Sequence, residues 1–285
     1  MSPSPAPVVV VDDREIEISN PHKVLFPDDG ITKLDLARYY ERVGVHLVRH
    51  SAGRPLALQR FPNGIGEGGF FQKQASDWFP DWIETVEVPT RDGSTGHVVL
   101  RSIADLVYLA NLGTITPHTL LVDAGDLAEP VEVIVDLDPS TDDLGPVRAA
   151  AGRLRELFES IDTEPWVKSS GSRGLHVHVD LAPSGGFGAS RALAEDVARV
   201  LVAAEPDAFT TAFHKKDRGD RLLLDVMRNA HGQHAVAPYG LRPLPGAPVA
   251  APLDWAEALS SGFDPRRWTM QNLFRRLGRR DDPWV

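Results

Sequence analysis

The feature that most constrains this chain is the alternation of apolar and polar residues in two stretches of its second half, Val131–Asp138 and Gly174–Leu181. Successive side chains of a strand point to opposite faces, so a period of two predicts half-buried strands and also sorts their residues by face. In the first stretch Val133, Val135 and Leu137 share one face, and Asp136 and Asp138 share the other. In the second, Leu175, Val177 and Val179 point one way, and His176 and His178 the other. Around these lie a helix pattern from about Pro146 to Ile161, with proline in its first turn, a short strand Pro165–Lys168, a helix Ala189–Ala204 and a last strand Arg221–Met227. The order β-α-β-β-α-β is the split arrangement of ferredoxin-like and RNA-recognition folds. Knowledge of that fold adds a strand order of 4-1-3-2, helices on one face and an open opposite face.

The first half predicts a mixed α/β module. Thr32 and Asp35 resemble a capping box ahead of Leu36, Tyr40, Val43 and Leu47 at helical spacing. Pro55–Arg60 and His97–Arg101 read as strands, and Ser102 with Asp105 starts a second helix that turns Leu106, Leu109 and Ala110 inward. The fold class expected is therefore α+β. The expected organisation is a flexible tail and first strand over 1–15, then one compact domain over 16–285. Within it, 16–125 is the N-terminal α/β module, 126–253 the RNA-recognition-like module and 254–285 a basic helical segment.

Cysteine is absent, which excludes disulfides, thiolate metal sites and cysteine nucleophiles. There is no apolar run of membrane-spanning length and no secretion-signal pattern at the start, so a cytoplasmic protein is expected. A net charge of −10 argues against a general nucleic-acid binder, yet Lys215, Lys216, Arg218 and Arg221 cluster, as do Arg266, Arg267, Arg275, Arg276, Arg279 and Arg280.

In the expected strand order, Asp225 on the last strand sits beside Asp136 and Asp138, with His176 one strand away. A D-x-D pair alone is commonly a solvated strand end. A third carboxylate on the adjacent strand shifts the balance to a site for hard divalent cations, Mg²⁺ or Mn²⁺, because like charges at short range need neutralising. The loop Ser169–Gly174 offers backbone N–H groups and hydroxyls to a phosphate, or is an ordinary hairpin turn. Arg228 and Arg242 suit phosphate oxygens, or form surface ion pairs. His178 reads equally as a structural or surface residue and is left outside the site.

Several ordered blocks resemble the polymerase domain of bacterial ATP-dependent ligase D, of the archaeo-eukaryotic primase superfamily: SNPHKVLFP (19–27), TKLDLARYY (32–40), RFPNG (60–64), GFFQK (69–73), DLDP (136–139), SSGSRGLHVHV (169–179) and HAVAPYGLR (234–242). The resemblance runs from about Ile16 to Leu253. It implies a primase-like fold and a DNA/RNA polymerase of the nucleotidyltransferase class, which extends a primer at gaps or double-strand breaks with two Mn²⁺ or Mg²⁺ ions and NTP or dNTP substrates, ribonucleotides preferred. It makes Asp136, Asp138 and Asp225 the metal ligands, and His118, Ser170, His176, Arg228 and Arg242 the contacts to the incoming nucleotide. It places Asn20, Lys23 and Lys33 on a downstream 5′-phosphate, Phe70 and Phe71 against template bases and Lys73 near the phosphate backbone. The partners it implies are gapped or broken DNA, a separate ATP-dependent ligase and Ku, in a nucleoid-associated bacterial setting. Val226 and Met227 depart from the family pattern, and no ligase or nuclease domain accompanies the blocks, so a stand-alone form is expected. The competing reading is a non-catalytic module that binds 5′-phosphorylated DNA ends. A metal-dependent hydrolase is disfavoured by the lack of an HD or H-E-x-x-H pattern.

Overall fold

The computed structural model of the chain describes residues 6–180 and 185–285. The first five residues of the expected tail and Leu181, the expected end of one strand, lie outside the described residues. Two six-stranded sheets face each other. The sheet from the second half runs Phe209–Thr210, Leu222–Asp225, Glu132–Asp138, Leu175–Asp180, Pro165–Ser169, Pro252–Leu253. Without its two short edge strands this is the order 4-1-3-2. Val133, Val135, Leu137, Leu175, Val177 and Val179 are all buried, under helices Gly145–Glu159 and Gly186–Ala204, which pack on that face.

The other sheet runs His234–Val236, Thr114–Leu120, Pro55–Arg60, Gly93–Val99, Thr85–Thr90, with Phe70–Gln72 paired to Pro55–Arg60. Helices Lys33–Ser51 and Ile103–Asn111 pack on each other and against this half. Both start at complete capping boxes, Thr32 with Asp35 and Ser102 with Asp105, which satisfy otherwise orphaned N–H groups at the first turn. The strand expected over His97–Arg101 ends at Val99 and begins earlier, at Gly93. Asp105 accepts from the backbone N–H groups of Arg101 and Ser102, which commits those residues to the helix start.

The expectation of an open face is corrected. The polar face of the second-half sheet lies against the first-half sheet, and Ile134 is buried in a small cluster with Leu121 and Ala235. The chain makes this closure itself. After Asp225 it returns to the first sheet, where His234–Val236 pairs with Thr114–Leu120. The polar face therefore becomes the floor of a cleft between two sheets.

Candidate active site

One row of side chains crosses four strands of the cleft floor. Asp225 is the direct cross-strand partner of Asp136, Asp136 of His176, and His176 of Lys168. Asp138 stands two residues beyond Asp136 on the same face. Directly opposed carboxylates repel, and here arginines offset that repulsion. Arg228 reaches Asp136 at 3.3 Å, while Arg173 at 2.8 Å and Arg218 at 3.3 Å clasp Asp138. Burial, with the charges of Asp225 and Asp138, holds the Asp136 carboxyl above its ordinary pKa against the pull of Arg228. Among the described residues no group of three or more His, Asp or Glu side chains is gathered into a ready-made metal cage. The donor chemistry still suits a hard cation: paired carboxylates on adjacent strands, one of them part-buried and disfavoured as an anion without added positive charge.

Above the row is a cavity of about 420 Å³ lined by Asp136, Asp138, Asp225, His118, Ser170, His176, Arg228 and Arg242 among others. Every residue expected to hold metal or incoming nucleotide therefore borders one space. Among the described residues both ring nitrogens of buried His118 lack a partner, as does Nε of Arg228 and of Arg242. Buried polar atoms seldom stay unpaired, so these mark a surface awaiting a polar ligand. Burial pushes His118 and His176 well below the ordinary histidine pKa, helped by His234 for the first and Lys168 for the second. Both rings are therefore neutral at pH 7. Phe71, His118 and His234 stand with ring centroids 5.0–5.1 Å apart along one wall.

Of the two forms expected for the loop 169–174, it takes that of a hairpin turn, joining the antiparallel strands Pro165–Ser169 and Leu175–Asp180. Ser170 Oγ accepts from the backbone N–H groups of Ser172, Arg173 and Gly174. The hydroxyl thus holds the loop's shape, and those amides are already partnered. Gly174 is obligatory on steric grounds, since a Cβ there would lie 1.9 Å from the Leu137 carbonyl oxygen.

Asn20, Lys23 and Lys33 gather on a separate patch. Lys23 Nζ donates to Asn63 Oδ1 at 2.7 Å, and the buried Lys33 Nζ donates to Ser19 Oγ at 3.0 Å. Burial and then Lys23 lower the Lys33 pKa. Neither lysine has a carboxylate partner among the described residues, the electrostatic condition of an anion receptor. Asn20 adopts a left-handed backbone conformation (φ 48°) at the turn beside them. Phe70 and Phe71, which composition alone would assign to the core, are about half exposed. Adjacent strand positions split their directions: Phe71 faces the cavity, and Phe70 lies over the Arg60 guanidinium. Lys73 is exposed and donates to the Gly232 carbonyl.

Two positions, Lys168 and Asn229, escaped the sequence reading. Lys168 is fully buried with Nζ 2.9 Å from His176 Nδ1, and burial with Arg242 pushes it down to about 7. With Lys168 donating to Nδ1, the His176 Nε2–H is left facing Asp136 at 3.5 Å. His178 instead bonds Glu132 at 2.7 Å, and Glu132 also pairs with Arg54. That group belongs to a separate cavity of about 560 Å³ toward the far end of the same strands. Asn229, fully buried, accepts from Ile134 N–H and donates to the Ile134 and Val226 carbonyls. Its carboxamide continues the ladder where the Leu222–Asp225 strand stops, and fixes the departure of Arg228. No local pattern announces Lys168 or Asn229; a lysine inside a strand flanked by the histidine and aspartate rows is the nearest signal.

Comparison with known families matches residues 32–284 to "LigD, primase-polymerase domain". The multifunctional non-homologous end joining protein LigD of Mycolicibacterium smegmatis is 33% identical over 248 residues, covering 86% of this chain and 32% of that protein. The bifunctional LigD of Bacillus subtilis is 29% identical over 272 residues, covering 95% of this chain and 44% of that protein. The chain thus spans about a third to under half of the length of these relatives. Among solved structures, the polymerase domain of Mycobacterium tuberculosis ligase D in complex with DNA superposes with a TM-score of 0.87 at 30% identity, over 94% of this chain and 96% of that one.

Proposed function

Because the chain belongs to the LigD primase-polymerase domain family, we propose that it is a template-directed nucleotidyltransferase that extends a primer 3′ end at DNA gaps or breaks. The observation that carries this is the opposition of Asp225 and Asp136, with Asp138 beside them, under a cavity also lined by His118, Arg228 and Arg242, each with ring or Nε atoms that lack a partner among the described residues. Asp136, Asp138 and Asp225 would hold divalent ions, Mg²⁺ or Mn²⁺. Such ions, when bound, activate the primer hydroxyl and neutralise the triphosphate. Arg173 and Arg218 then serve as charge compensation that coordination at Asp138 would replace.

The remaining roles follow from the chain's own groups. Arg228 and Arg242 point guanidinium N–H donors into the cavity, suited to the β- and γ-phosphates and to charge building on the leaving pyrophosphate. Neutral His118 and the Nε2–H of His176 offer hydrogen bonds to phosphate or sugar without adding charge. A ribose 2′-hydroxyl provides one more partner for such donors, in keeping with a ribonucleotide preference. Phe71 forms a stacking platform beside them. Lys23, Lys33 and Asn20 receive the 5′-phosphate of the downstream strand. In this reading the domain works in end-joining repair, in the cytoplasm, with Ku and an ATP-dependent ligase that seals the filled gap.

The test is primer extension on a gapped duplex with Mn²⁺ and ribonucleotides, with and without the downstream 5′-phosphate. Extension that is enhanced by the phosphate and abolished by Asp136→Ala is the expected result; extension at near wild-type rate in Asp136→Ala overturns the assignment. The clasp of Asp138 by two arginines favours a second reading, a non-catalytic module for 5′-phosphorylated ends. Phosphate-dependent binding without any extension would establish it.

A further inference from the structure

The arginines near the C-terminal end take no part in the site just described, yet their arrangement is specific. Residues 266–280 contain six arginines and no acidic residue, in a chain of net charge −10. They surround a cavity of about 590 Å³ lined by Arg267, Arg275, Arg276, Arg279 and Arg280 with Trp268. The anchor is Arg276. It is buried, held on one nitrogen by Glu257 at 3.1 Å, and both its Nε and its other terminal nitrogen lack partners among the described residues. Trp268 is gripped from two sides, with Arg267 and Arg276 guanidinium carbons 5.6 and 5.1 Å from its ring centroid, and its indole N–H bonds Glu257. By contrast Arg267, Arg275 and Arg279 are exposed and form no ion pair among the described residues. Such a set holds a rigid cationic floor with free guanidinium forks at its rim.

The patch is tied to the cleft. Arg266 Nε donates to the Ser172 carbonyl of the 169–174 loop at 2.8 Å. Val249 N–H donates to the Trp268 carbonyl, and Arg242 N–H to that of Pro248, so the arginine segment is strapped to the loop that carries Arg242. A polyanion leaving the cleft past this loop would meet these guanidiniums next. An acidic chain surface gives no general attraction for nucleic acid, so the positive charge that binds it must be local and concentrated. We infer that Arg267, Arg275, Arg276 and Arg279 form a second nucleic-acid contact, one that holds the phosphodiester backbone outside the cleft and is separate from the lysine patch. This rests on the proposed polymerase reading, and it adds a binding site which that reading does not require.

Counterion release makes the site measurable. Each phosphate neutralised contributes about 0.9 to the slope of log affinity against log salt on duplex DNA. Replacing Arg267, Arg275 and Arg279 together with Ser should lower that slope by about 2–3, so that the loss of affinity between 50 and 200 mM NaCl becomes roughly 40-fold smaller than in the wild type. The assay is fluorescence anisotropy on a labelled gapped duplex with a 5′-phosphate, with thermal unfolding to confirm that these exposed changes leave the fold intact. The matching Lys triple variant should keep the wild-type slope. Wild-type binding with an unchanged slope in the Ser variant overturns this site and leaves the polymerase reading standing, whatever acidic partner the arginines then serve. A Ser variant that loses inorganic tripolyphosphate binding but no DNA binding overturns it as well. Absence of any DNA binding by the wild-type chain would overturn both.

Discussion

Replacing Asn229 with Ala tests how the cleft floor is held together. The carboxamide makes three hydrogen bonds in a fully buried setting, two of them to the N–H and C=O of Ile134 on the central strand. Ile134 lies just beyond the point where the neighbouring strand stops pairing at Asp225, so among the described residues no strand partner takes those groups on that side. A buried polar group stripped of its partner costs about 1–3 kcal/mol. Two such groups give a loss on the order of 3–4 kcal/mol, a large part of a typical folding stability of about 5–15 kcal/mol. At roughly 2–4 °C per kcal/mol for a chain of this size class, the melting temperature should fall by roughly 6–16 °C. Because Asn229 follows Arg228 directly, the nucleotide KM should rise as well, since the guanidinium loses its fixed departure from the sheet. Asn229→Asp separates the parts: it can still accept from Ile134 N–H but cannot donate to either carbonyl, and should be destabilised too. Differential scanning fluorimetry and primer extension read both effects. A melting temperature within 2 °C of wild type for Asn229→Ala would refute the claim that this side chain completes the sheet.

Other consequences are equally direct. Gly174→Ala should destabilise by about 3 kcal/mol or more, because the new methyl group meets the backbone carbonyl of Leu137 rather than a movable side chain; soluble yield and thermal unfolding check it. Lys33→Met should weaken binding of a 5′-phosphorylated gap by roughly 10- to 100-fold, from loss of a charge-assisted contact, while leaving a 5′-hydroxyl gap nearly unaffected; equal losses on both substrates would contradict the patch as a phosphate receptor. Asp282 supplies a pH test. Burial alone would raise its pKa, but the hydrogen bonds from His50 and from the Trp284 amide bring it down to about 2. A depressed carboxyl stabilises the fold above its unfolded value and loses that contribution as pH falls through about 2, so the stability difference between wild type and Asp282→Asn should be on the order of 2 kcal/mol at pH 6 and shrink between about pH 4 and 2. A difference that stays constant over that window would count against it.

The parts of this molecule that were legible in its sequence are those that a local period can encode. Alternation in 131–138 and 174–181 separated the helix-facing valines from the aspartates and histidines, and the observed registers put Asp225 opposite Asp136. The cover over that face was not legible. Thr114–Leu120 is buried at every position although its sequence, TITPHTL, alternates as a half-exposed strand does over most of its length, so nothing local signals that both its faces are covered. The polar residues it shelters read as exposed for the same reason. Lys168 in a strand suggests solvent, yet it is sealed beneath the second sheet against His176. Two adjacent phenylalanines suggest a core, yet Phe70 and Phe71 stand half exposed at the cleft, because Phe70–Gln72 is an outlying strand paired on one side only. Asn229 acts through a chain reversal that no short pattern predicts.

The central claim is that Asp136 and Asp225, meeting across two strands, make a divalent-ion site. Calorimetric titration of Mn²⁺ into the protein, with a non-hydrolysable nucleoside triphosphate present, measures it without relying on turnover. Saturable binding by the wild-type chain that is lost in both Asp136→Ala and Asp225→Ala is the result expected here. Undiminished Mn²⁺ binding by both folded variants would contradict it.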